Sequence, residues 1–152
     1  MRSLVIGVGN SDRGDDGVGP AVARIVSEEA PDEVSVIISK GEPAGLIDAW
    51  TNMDAVFLVD ACVSGGETGT IQRFDAVQAP LPEQFDAIST HGFGVGAAVE
   101  LARAIGALPG SLIVYGIEAS EFEPGASLSA PAERAVQEVA TRILDELSPT
   151  RD

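Results

Sequence analysis

Three carboxylates crowd one short loop of this chain. The stretch Gly7-Val8-Gly9-Asn10-Ser11-Asp12-Arg13-Gly14-Asp15-Asp16-Gly17-Val18-Gly19-Pro20 follows an apolar run that starts at Leu4 and leads into a helical stripe. It therefore reads as strand, glycine-rich loop and helix. Such loops often cradle phosphate, but the dinucleotide fingerprint G-x-G-x-x-G fails here, because Asp12 stands at the third glycine position. The positive end of a helix attracts phosphate, and Asp12, Asp15 and Asp16 would oppose that attraction. Carboxylates at the carboxyl end of a strand suit a metal cation or a proton transfer instead. Stabilisation of a helix dipole accounts well for one aspartate in a first turn and poorly for two adjacent ones, so the pair points to function.

Two further groups belong to the same chemistry. Asp60 directly follows the apolar run Ala55-Val56-Phe57-Leu58-Val59, which puts it at the carboxyl edge of a sheet, where open α/β folds bind ligands. A buried aspartate closing a turn is the plain alternative, and the carboxylates of the first loop at the same edge weigh against it. His91, the single histidine, lies in Ser89-Thr90-His91-Gly92-Phe93-Gly94, at the start of a helical pattern. A lone histidine is commonly structural, but a helix N-terminus disfavours the imidazolium and leaves a neutral ring able to ligate. Asp16, Asp60 and His91 together form a hard-to-borderline metal site with open positions. Three ligands without a thiolate hold a metal loosely, so sensing or borrowing one fits as well as storing it. A serine triad is disfavoured, since no serine occupies a G-x-S-x-G elbow.

The elements that must position these residues alternate. Helix one is expected from about Val18 to Ala30, with Val18, Val22, Ile25 and Val26 buried and Pro31 ending it. Strand two, Glu33 to Ser39, is β-branched and leads through Lys40-Gly41-Glu42-Pro43-Ala44-Gly45 to a short helix that buries Leu46, Ile47 and Trp50. Gly65-Gly66-Glu67-Thr68-Gly69 is too short for a crossover helix, so Thr70 to Phe74 should return as an antiparallel neighbour at one edge. Residues 75–88, with Pro80 and Pro82, form a connection long enough to line a site. A helix carrying Val95, Val99, Ala102 and Ile105 follows. The last strand, Leu112 to Ile117, ends on Glu118. The final helix starts near Ser129, has Pro131 in its first turn, and buries Val136, Val139, Ile143 and Leu147. The pattern predicts a three-layer α/β/α fold with a mixed, mostly parallel sheet of about five strands and one antiparallel edge strand.

Composition narrows the partners. With 152 residues, 45% of them hydrophobic, the chain suits one domain with its own core. A formal charge of −15 disfavours nucleic acid and anionic membranes and favours cations or a basic partner. No apolar run reaches about 18 residues and the N-terminus leads straight into a strand, so neither a membrane span nor a signal peptide is expected. A single cysteine, Cys62, excludes an internal disulfide, fits a reducing cytoplasm, and reads as a small buried hydrophobe.

The chain resembles the nickel–iron hydrogenase maturation endopeptidases. The likeness rests on Gly7-Val8-Gly9-Asn10 with Gly14-Asp15-Asp16-Gly17-Val18-Gly19-Pro20, on Val59-Asp60-Ala61, on Thr90-His91 and on Gly116-Ile117-Glu118. It implies one domain over residues 1–152 and an endopeptidase that removes the C-terminal extension of a hydrogenase large-subunit precursor after nickel insertion. Nickel would be supplied by the precursor, and the family's nickel-recognising and catalytic residues would fall on Asp16, Asp60 and His91. The chain departs from the family's common Asp-Gly-Gly loop after the second strand, having Ser39-Lys40-Gly41-Glu42, which leaves only Glu42 to supply an acid there. A non-proteolytic nickel-sensing chaperone and a nucleotide-dependent Rossmann-like enzyme are the alternative readings.

Overall fold

The computed structural model describes residues 1–82 and 94–148. Strands β1 (Ser3–Val8), β2 (Val34–Ser39), β3 (Ala55–Cys62), β4 (Ile71–Asp75) and β5 (Ser111–Glu118) form one sheet in the order β2-β1-β3-β5-β4. All pairs are parallel except β4–β5. Among the described residues four α-helices accompany them: α1 (Val18–Glu29), α2 (Pro43–Trp50), α3 (Val95–Ile105) and α4 (Ala130–Leu147).

Side chains alternate across a strand, so each central strand feeds two cores. Val5, Phe57, Val59, Ile113, Tyr115 and Ile117 pack with α1 and α4 on one face. Leu4, Ile6, Val56, Leu58, Leu112 and Val114 pack with α2 and α3 on the other. This is the expected three-layer arrangement, and it explains why β1, β3 and β5 read as unbroken apolar runs. Trp50 is a packing residue, fully buried with its indole N–H donating to the Ala107 carbonyl at 3.0 Å.

The structure corrects two details. Strand β3 continues past Val59 to Cys62, because β5 supplies partners as far as Glu118; Asp60 lies within the strand rather than just beyond it. Strand β4 is the antiparallel edge strand, but its neighbour is β5, not β3. Strand β5 is buried almost throughout, whereas β4 is short and half-exposed, so the apolar strand takes the inner place. The residues between Cys62 and Ile71 easily cross two strand spacings of about 4.8 Å each. Ile105 is 63% exposed, since α3 ends there against the left-handed Gly106 and its last residue passes beyond the packed stripe.

Candidate functional site

The glycines of the first loop serve close approach. Gly9 has φ +142°, and a Cβ there would lie 2.0 Å from the Asp16 carbonyl oxygen. A Cβ on Gly19, in the first turn of α1, would lie 2.3 Å from the Val8 carbonyl oxygen and 2.6 Å from that of Val59. Only residues without side chains let the start of α1 and the preceding turn sit directly on the ends of β1 and β3. That turn, Gly14–Gly17, is a single 3-10 turn and carries Asp15 and Asp16.

The two aspartates have different places. Asp16 is 5% exposed, and its Oδ2 accepts a hydrogen bond from the Asn10 amide at 3.0 Å. Asp15 is fully buried and turned into the loop between β5 and α4. Its burial opposes ionisation, but donors from the Ser129, Ser120 and Glu121 amides and the Ser129 hydroxyl outweigh burial and hold the carboxyl below its ordinary value. A functional role for the adjacent pair thus divides: Asp15 is held by the loop between β5 and α4, and Asp16 faces the rim. Neither the 3-10 turn nor α1 has a side-chain N-cap bond, so neither aspartate caps a helix end through its side chain.

Asp60 stands beside Asp16 on the same rim. By strand alternation it points to the face that carries Val56 and Leu58, the side of α2 and α3. Its register partner on β5 is Gly116, which has no side chain to crowd it. Its Oδ1 accepts from the Ala61 amide at 2.8 Å. Desolvation pushes the Asp60 carboxyl well above the usual carboxylate range; the Ala61 amide pulls it down, and the charge of Asp16 adds to the rise. A cation beside Asp60 would offset the cost of ionising it there.

His91 lies outside the described residues, as do residues 83–88 of the connection proposed to line a site. Among the described residues no group of three or more His, Cys, Asp or Glu is arranged to hold a metal ion. Lys40 and Glu42, in the loop after β2, are exposed.

A neighbouring cluster was only partly legible in the sequence. Glu118, 3% exposed, accepts from the Ser64 amide at 2.8 Å and the Ser64 hydroxyl at 2.6 Å. The Cys62 thiol, 2% exposed, points at the same carboxylate, with Sγ 3.8 Å from Oε1. Burial, then the charges of Glu118 and Asp60, push this thiol up to about 12, in keeping with its reading as a small buried residue. The position of Glu118 at the end of a buried strand marked it; its partner Ser64, in a glycine-rich turn, carried no sequence signal.

Comparison with known proteins bears on the family. A family model described as hydrogenase maturation protease matches residues 21–146, a span that contains Asp60 and His91 and starts after Asp16. The hydrogenase 2 maturation protease of Escherichia coli K12 is 26% identical over 149 residues, 95% of this chain and 89% of that protein. The E. coli hydrogenase maturating endopeptidase HybD superposes with a TM-score of 0.79 at 25% identity, covering 97% of this chain and 92% of that one. The [NiFe] hydrogenase maturation protease HycI of Thermococcus kodakarensis gives 0.73 at 25% identity, covering 96% and 92%. A family match over most of the sequence, joined to the same fold, leaves one assignment: the chain belongs to the hydrogenase maturation protease family.

Proposed function

We propose that the protein removes the C-terminal extension of a nickel–iron hydrogenase large-subunit precursor after nickel has been inserted, and that it works in the cytoplasm. Nickel belongs to the substrate in this reading. Bound in the precursor, it gains Asp16, Asp60 and His91 as further ligands, and so docks the tail at the rim. The observation that carries the reading is the placement of Asp60 beside Asp16 at the carboxyl end of β1 and β3, where desolvation and then the charge of Asp16 oppose ionisation of Asp60 and a cation would favour it. The buried, thiolate-disfavouring Cys62 supplies no competing soft ligand. Hydrolysis then needs a water whose oxygen bonds to the scissile carbonyl carbon as the C–N bond breaks and the leaving amine takes a proton. The metal or a rim carboxylate activates that water.

The test offers nickel-loaded and nickel-free precursor to the wild-type protein and to Asp16→Ala, Asp60→Ala and His91→Ala. Cleavage of the loaded precursor alone, lost in each variant while the far-UV circular dichroism is kept, is the expected result. Binding without cleavage would make the protein a chaperone. Full activity in the variants would reject the three residues.

A further inference from the structure

We propose that Asp15 is a positioning residue that sets the place of Asp16 by clamping the 3-10 turn onto the loop between β5 and α4. Its consequence for cleavage rests on the reading of Asp16 above; the clamp itself does not. The Asp15 carboxylate is saturated from one direction. Oδ1 accepts from the Ser129 amide at 2.7 Å, and Oδ2 accepts from the Ser120 and Glu121 amides, each at 3.1 Å, and from the Ser129 hydroxyl at 2.9 Å. Every donor lies in the β5–α4 loop, more than a hundred residues away along the chain. Backbone bonds reinforce the seam: the Asp15 amide donates to Glu121 at 2.6 Å, the Gly14 amide to Ala126 at 3.1 Å, and the Gly125 amide to Asp12 at 2.6 Å.

Ser129 ties this seam to a rigid element. It is the N-cap of α4, an 18-residue helix, and its hydroxyl oxygen also accepts from the Ala132 amide at 3.4 Å. The path runs from α4 through Ser129 to Asp15, and from Asp15 to its neighbour Asp16 in a four-residue turn. Within this turn the Asp16 amide donates to the Arg13 carbonyl, and the Asp16 carboxylate accepts from the Asn10 amide. A charged acceptor shared by four donors is worth more than neutral bonds, and a buried carboxylate that loses them must find others. The clamp commits both Asp15 oxygens to donors of the β5–α4 loop, so the doublet divides its work between one anchor and one rim acid.

The test is site-resolved amide exchange on the whole chain. Asp15→Asn replaces one acceptor oxygen by an amino group facing a donor. It is expected to speed exchange of the Asn10 amide, the one that holds Asp16, by roughly tenfold or more, with the core amides of Val5 and Leu58 unchanged. Ser129→Ala is expected to do the same to a smaller degree. Cleavage of nickel-loaded precursor should fall in step. Unchanged Asn10 protection in Asp15→Asn, or in Ser129→Ala should the first variant not fold, overturns the clamp even if cleavage is lost. Asn10 and core amides loosening together also overturn it, since Asp15 would then act on the whole fold. A wild-type protein that cleaves no loaded precursor, while Asp15→Asn still loosens Asn10 alone, overturns the cleavage reading and leaves the clamp standing.

Discussion

One substitution, made at two glycines of this chain, should change stability in opposite directions. At Gly19 an added Cβ would meet the Val8 carbonyl oxygen at 2.3 Å, the Val59 carbonyl oxygen at 2.6 Å and the Val8 amide nitrogen at 2.6 Å, where ordinary contact begins at 3.4 Å. All three are backbone atoms of central strands, so α1 must back away by about 1 Å from two strands at once. Overpacking of this kind costs about 1–3 kcal/mol, and with no side chain able to yield the upper end applies. For a domain of this size that lowers the midpoint of thermal unfolding by roughly 6–12 °C. Gly45 lies inside α2 with nothing within 4 Å of its Cβ position. There alanine should stabilise by about 0.5–1 kcal/mol, because a glycine inside a helix forfeits that much backbone entropy. Scanning calorimetry of Gly19→Ala and Gly45→Ala decides the matter, and the first variant should also cleave precursor poorly well below its midpoint, since α1 carries the Asp16 turn with it. If Gly19→Ala matches the wild-type midpoint, the glycine-rich loop does not owe its composition to close packing, and the explanation of the motif given above is wrong.

Other expectations follow from single side chains. Cys62 should resist Ellman's reagent at pH 8 in the folded protein and react promptly in guanidinium, because burial and two nearby carboxylates disfavour its thiolate. The same raised value sets a sign: the unfolded thiol ionises near its ordinary 9.0 and the folded one near 12, so stability should fall as the pH rises across that interval. A Cys62→Ala variant with an unaltered alkaline limb would refute this source. Trp50→Phe keeps an aromatic ring but loses the indole donor to Ala107 and part of a fully buried volume. It should cost about 2 kcal/mol, read from a urea midpoint shifted at constant slope; a shift near zero would mean the site repacks.

Much of the architecture was legible because local signals agreed with one another. Gly-rich turns, Pro31 and Pro131 at helix boundaries and β-branched runs marked the alternation of strands and helices, and the sheet follows that plan. The neighbour of β4 was not legible, since a short turn names only a nearby strand, whereas the choice of β5 for the inner place depends on how much apolar surface each strand must bury.

The divided fate of the Asp15-Asp16 doublet belongs wholly to tertiary structure. Residue type and position announced carboxylates at the carboxyl end of β1, and Asp60 after an apolar run announced another. The sequence by itself determined that acids would collect at one rim. Which acid faces the rim was decided by donors on Ser120, Glu121 and Ser129, and the raised proton affinity of Asp60 by burial and by Asp16 across the sheet. Periodicity along a chain records which face a residue takes within its own element. It holds no record of hydrogen bonds or fields arriving from residues a hundred positions away, and those alone distinguish a rim acid from an anchor.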